Sequence, residues 1–109
     1  MFDFISDIDI TAIFANLWDN AIEACRKVEP SGRFVNIIIG RVNDFVVISF
    51  ENAFDGVLHE KGGKLFSTKE QHEGVGVSII KSSVEKYKGT LVIEHDENMF
   101  KANALIPLA

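Results

Sequence analysis

The chain has 109 residues, a single cysteine and a formal net charge of −5 at pH 7. That length suits one domain with a modest core, since domains of this size hide roughly 60 to 70% of their unfolded surface, and the acidic balance excludes the basic stripe of a nucleic-acid surface. Cys25 has no partner for an internal disulfide, which fits a cytoplasmic, reducing compartment, and the longest apolar runs, about five residues, fall far short of the ~20 that cross a bilayer.

Residues 11 to 28 carry Ile13, Phe14, Leu17, Ala21, Ala24 and Val28 at helical spacing. They predict a helix capped by Asp9 or Thr11 and ended by Pro30 and Gly32. Asn16 and Asn20 are odd inside it, because asparagine competes for backbone hydrogen bonds and is a poor helix former. At 100° per residue Asn16, Asn20, Glu23 and Lys27 fall within about 60° of one another, bordering the apolar sector. A carboxamide there offers the kind of single hard oxygen that a Mg²⁺ held by waters and phosphates accepts. The same stripe also reads as a solvated face, with Glu23 and Lys27 as an i,i+4 pair contributing about 0.2 to 0.5 kcal/mol. Trp18 lies about 90° from the apolar sector.

Residues 33 to 41 and 44 to 52 are rich in Val, Ile and Phe around Asn43 and read as an antiparallel hairpin. Residues 53 to 73 lose all periodicity and collect Gly56, Gly62 and Gly63 with many charges, the composition of a functional lid or a disordered loop. Helical spacing returns over residues 75 to 87 through Val77, Ile80, Val84 and Tyr87, with Gly89 as the stop. "TLVIEH" and "MFKANALIPL" form a second hairpin around Asp96, Glu97 and Asn98. Two helices alternating with two hairpins imply an α+β fold, one mixed, mostly antiparallel sheet with its helices on one face.

"HEGVGVSIIK" places Gly74 and Gly76 immediately ahead of the second helix. Glycines let backbone N–H groups approach an anion, and a helix start adds unpaired donors and a positive dipole end. A dinucleotide fingerprint is excluded because Ile79 stands where a third glycine or alanine belongs. A P-loop is excluded because Leu65 stands where Ser or Thr must follow the lysine of "GGKLFS".

The Asn-x-x-Asp-Asn-Ala of residues 16 to 21 and the Gly-x-Gly-x-Ser-Ile-x-Lys of residues 74 to 81 together resemble the N box and second glycine box of the GHKL, or Bergerat, ATP-binding fold. "NLWDNAIEAC" and "GGKLFSTK" look most like the catalytic domain of peptide-sensing, quorum-type sensor histidine kinases. The resemblance covers nearly the whole chain and implies a two-layer α/β sandwich over residues 1–109, a single domain excised from a larger protein, with an ATP lid at about 56–73. It implies that Asn20 coordinates Mg²⁺ on ATP, that Asn16 supports the same catalytic site, and that Glu23 faces the nucleotide where many sensor kinases have a lysine. Gly74, Val75, Gly76 and Val77 would hold the phosphates. Phe66 would fold onto the pocket wall, and Ser67, Thr68 and Lys69 would meet the triphosphate.

Two positions depart from the family. The first glycine box normally supplies an aspartate to the adenine amino group; "ENAFDG" has Asn52 there, followed by Asp55 and Gly56. Asn52 can accept the bond through its carbonyl oxygen without charge assistance, so Asn52→Asp is expected to strengthen ATP binding. Members that hydrolyse ATP carry a glutamate one turn before the metal-binding asparagine as general base; here it is Asn16, which cannot take a proton. The resemblance therefore implies γ-phosphoryl transfer to a histidine on a separate dimeric helical domain, and onward to a response regulator, in a homodimeric, membrane-anchored parent. His59, His72 and His95 read as surface residues, and Trp18 as packing on that helical domain or in the core. A degenerate binding module and an anti-sigma-type serine kinase are the alternatives.

Overall fold

The structure, a computed structural model, describes residues 2–56, 59–61, 64–66 and 71–108, with side chains for 2–56 and 77–108. Helix α1 runs Asp7–Arg26 and α2 Gln71–Lys86; the strands are β1 Val35–Val42, β2 Phe45–Ala53, β3 His59–Lys61, β4 Lys64–Phe66, β5 Thr90–His95 and β6 Met99–Pro107.

Helix α1 begins four residues earlier than the periodicity suggests. Its cap is Ser6, whose Oγ accepts from the Asp9 N–H at 3.2 Å and donates to Asp9 Oδ2 at 2.9 Å. Ser6 and Asp9 stand at capping-box spacing, so Asp9 is the third helical residue and neither it nor Thr11 is the cap. The helix ends at Arg26 with Lys27 as its C-cap, which leaves Val28 outside. Ile13, Leu17, Ala21 and Ala24 are buried as their spacing requires.

The four long strands form one sheet in the order β1-β2-β6-β5, every described ladder antiparallel. Pairing of β2 with β6 joins the two hairpins. Alternation then sets one buried row across the sheet: Val46 opposite Ile106, Ile48 opposite Ala104, Phe50 opposite Ala102 and Asn52 opposite Phe100. This row meets Ile13, Leu17, Ala21, Ile80 and Val84 in the core, so both helices cover the same face. The other face carries a polar ladder, Ser49 Oγ to Asn103 Oδ1 at 2.6 Å and Asn103 Nδ2 to Glu94 Oε1 at 3.0 Å.

Two regions differ from the sequence expectation. The stretch expected to lack regular elements contains a small antiparallel ribbon, β3 with β4, in which Lys61 opposes Lys64; the Gly62-Gly63 pair between them is a two-residue hairpin signal. Helix α2 starts at Gln71, so Gly74 and Gly76 lie within its first turns rather than ahead of it. Glycine costs a helix only about 1 kcal/mol, too little to stop it there. At the other end the left-handed residue is Lys88, φ 63°, and not Gly89. Gly89 is needed for space: a Cβ would stand 2.6 Å from the Leu105 carbonyl oxygen and 2.7 Å from Val84 Cγ1.

The start of α1 is tied to the end of α2. Tyr87 Oη donates to Asp9 Oδ2 at 2.5 Å and Lys86 Nζ lies 2.9 Å from the same oxygen. The tyrosine hydroxyl first, then Lys86 and Ser6, hold the Asp9 carboxyl at about 2 against an ordinary 3.8. A carboxyl with a depressed folded pKa stabilises the fold above its unfolded pKa and loses that contribution as pH falls from 3.8 toward about 2. Tyr87→Phe is expected to raise the Asp9 titration toward its ordinary range and to move acid unfolding to higher pH. Carbon-detected NMR of the carboxyl with acid unfolding followed by circular dichroism checks this; an unchanged Asp9 titration would remove the tie.

Candidate functional site

The two halves of the sequence meet at one end of the sandwich. Cys25 is buried, and its Sγ–H donates to the Phe34 carbonyl at 3.3 Å. The same carbonyl accepts from Ala53 N–H at 3.0 Å. The C-terminal half of α1 is thereby held over the sheet end that carries Asn52. Lys86 and Tyr87 touch Ser6 and Asp9, so the end of α2 lies against the start of α1, and Ile80 and Val84 share the core with Ile13 and Leu17.

Asn16 is half-buried, and its Nδ2 donates to the Ala12 carbonyl one turn back at 2.7 Å. This local bond accounts for an asparagine inside a helix and leaves Oδ1 as the outward polar atom. Asn20 is half-buried on the same stripe, and no hydrogen bond of its side chain is recorded among the described residues. Glu23 does not pair with Lys27. Its Oε1 accepts from Arg26 Nη1 at 2.6 Å, its side chain only 12% exposed, because Lys27 has already left the helix as the cap.

Asn52 is 1% exposed at the end of the buried row. Its Nδ2 donates to the Ala53 carbonyl at 2.8 Å, which leaves the amide a second N–H donor and Oδ1 as an acceptor. Phe100 stands opposite it on β6 and His95 opposite Phe100 on β5. Phe54 packs on both, with ring centroids 5.5 Å from Phe100 and 6.1 Å from His95, and His95 stacks on Phe100 at 6.5 Å and 17°. Sequence reasoning missed this aromatic group. His95 is exposed, as expected, and is the last residue of β5. The signal that could have found the group is strand register, which no single segment displays.

Asp55 and Gly56 follow β2, both exposed. Gly56 has φ 83°, and a Cβ would lie 3.0 Å from the Glu97 carbonyl oxygen, so this turn requires glycine. Val77 is half-buried on α2. Gly74, Val75 and Gly76 lie in the α2 backbone and Phe66 in β4, while their side-chain surroundings, with Ser67, Thr68, Lys69 and the expected lid motion, lie outside the described residues. Trp18 is neither buried nor detached: it is 45% exposed and meets Phe50 edge-on at 6.0 Å.

Among the described residues no three His, Cys, Asp or Glu side chains gather to hold a metal. A half-buried carboxamide at Asn20, with Asn16 one turn before it on the same helix, fits a Mg²⁺ that keeps its waters and takes most of its charge neutralisation from phosphate.

The family model described as GHKL domain matches residues 5–107. The chain is 30% identical over 96 residues to a probable C4-dicarboxylate sensor kinase of Halalkalibacterium halodurans, covering 84% of this chain and 18% of that protein. It is 32% identical over 88 residues to sporulation kinase C of Bacillus subtilis, covering 77% of this chain and 20% of that protein. Sporulation kinase E of the same organism is 29% identical over 90 residues, covering 78% of this chain and 12% of that protein. The chain thus spans a fifth or less of the curated relatives' length. Among solved structures it is similar to the catalytic domain of histidine kinase ThkA, with 25% identity and a TM-score of 0.71 over 94% of this chain and 68% of that one.

Proposed function

Because the chain belongs to the GHKL domain family, whose histidine-kinase members bind ATP, we propose that it binds Mg-ATP and presents the γ-phosphate to a histidine on a separate dimeric helical domain. The observation that supports this most is that the Cys25–Phe34–Ala53 hydrogen bonds hold the C-terminal half of α1, which carries Asn20, at the sheet end bearing Asn52. Asn20 and Asn16 would hold the metal, which when bound offsets phosphate charge. Asn52 Oδ1 is the acceptor for the exocyclic amine of adenine, and the buried Phe100 opposite it excludes water from that contact. Phosphate charge is met by N–H groups at the start of α2 and by Lys69, with Ser67 and Thr68 as neutral donors.

Residue 16 disfavours hydrolysis. An amide cannot accept a proton from water near pH 7. The acceptor is then external: the parent kinase's helical domain, with a response regulator downstream. No described helix is long and apolar enough to cross a membrane, so a membrane anchor would belong to another part of the parent.

The chain alone is expected neither to label itself from γ-labelled ATP nor to hydrolyse it appreciably. Adding or fusing a dimeric helical domain with a phosphoacceptor histidine should produce acid-labile, alkali-stable labelling. Hydrolysis by the chain alone would assign it to the ATPase branch instead. Labelling of an added anti-sigma-type serine substrate in place of histidine would assign the serine kinase reading.

A further inference from the structure

Strand β5 turns Leu91, Ile93 and His95 toward the helices, opposite Ala104, Ala102 and Phe100 of β6. Leu91 and Ile93 pack against the core, as residues two apart on one sheet face should. The third position of that row is an imidazole. It completes a line of Asn52, Phe100 and His95 that crosses β2, β6 and β5 at one end of the sheet.

Two lines of contact run from His95 to the Asn52 amide. Across the sheet, its ring stacks on Phe100, with centroids 6.5 Å apart and planes at 17°, and Phe100 is the strand partner of Asn52. Along the chain, its ring meets Phe54 at 6.1 Å and 71°. Phe54 N–H donates to the Asn98 carbonyl at 3.0 Å, which fixes the residue next to Ala53, and the Ala53 carbonyl is the one that accepts from Asn52 Nδ2. The two lines close on each other, since Phe54 also packs on Phe100 at 5.5 Å. Phe54 and Phe100 are buried while His95 is exposed, so the imidazole is the part of the group that meets water.

At the inner end of the group, Asn52 Oδ1 is a buried acceptor to which nothing among the described residues donates. A buried amide keeps one orientation where its surroundings hold it. We propose that His95 is a positioning residue for base recognition: by stacking on Phe100 and Phe54 it holds the Asn52 amide with Oδ1 toward the base and keeps water from the bond to the exocyclic amine. This role rests on the Mg-ATP reading of the site, and His95 acts in it only through the two phenyl rings. An imidazole suits the place because its ring supplies stacking area while its nitrogens stay hydrated.

Two triphosphates separate positioning from stability. ATP carries the 6-amino group from which Oδ1 accepts, and purine riboside triphosphate is the same molecule without it. In calorimetric titration with Mg²⁺ the parent chain should bind ATP more tightly than the analogue. His95→Ala should weaken ATP about threefold to tenfold, the size of one lost aromatic contact, and leave the analogue unchanged. His95→Phe, which returns a planar ring, should restore the preference; His95→Gln, polar but without a ring, should behave as alanine does. Circular dichroism melting confirms that each variant is folded at the titration temperature. Equal weakening of both nucleotides, or a preference for ATP that survives in His95→Ala and His95→Gln, would overturn the positioning role while leaving the Mg-ATP reading in place. A parent chain that binds neither nucleotide would remove that reading and the positioning role with it.

Discussion

Asn52→Asp is expected to destabilise the nucleotide-free chain by about 2 to 4 kcal/mol at neutral pH. Asn52 is 1% exposed and its Nδ2 donates to the Ala53 carbonyl at 2.8 Å. A carboxylate would replace that donor with a second acceptor facing the carbonyl, inside a site with almost no water. Burial raises the pKa of such a carboxyl above its ordinary ~3.9. At acid pH the neutral acid can donate its proton to Ala53, so the variant approaches the parent. The penalty grows as pH rises from about 4 through the raised value. Urea unfolding of both chains at acid and neutral pH measures this, and equal stability at both would show that the amide does not face Ala53. Sequence reasoning expects the same substitution to strengthen binding of the base through charge assistance. Burial therefore sets affinity against stability, and ATP should stabilise the variant more than it does the parent.

Asn20→Ala should remove most of the Mg²⁺ enhancement of ATP binding, about 1 to 3 kcal/mol, or roughly 5- to 150-fold. The fold should not suffer. Asn20 is only half-buried, and alanine is the better helix former by about 0.5 kcal/mol. Unchanged melting with lost metal dependence separates a ligand role from a structural one. Asn16→Ala should weaken binding less, because one of its two polar atoms already serves Ala12. A variant at position 20 that binds Mg-ATP as the parent does would remove the metal assignment.

Hydrophobic spacing made the helices and both hairpins legible, since Ile13, Leu17, Ala21, Ile80 and Val84 face the core they were assigned to. The helix starts were less so. Ser6 with Asp9 is a capping box that periodicity passes over, and Gly74 and Gly76 look like a turn although a helix can absorb them. The order of the asparagine and glycine boxes carried the family. It could not show that Asn16 bonds its own helix, that Glu23 takes Arg26, or that Phe54 and His95 pack on Phe100, the strand partner of Asn52. Those contacts depend on the register of β2, β6 and β5, which is settled by burying one face of three separate segments at once.

The central claim, that this sheet end and the two helix segments above it form a Mg-ATP site, is tested most directly by calorimetric titration of the chain with ATP in Mg²⁺ and again in EDTA. Binding is expected at about 10 µM to 1 mM with Mg²⁺ and markedly weaker without it. No binding of ATP in either buffer, or binding indifferent to Mg²⁺, would contradict the account.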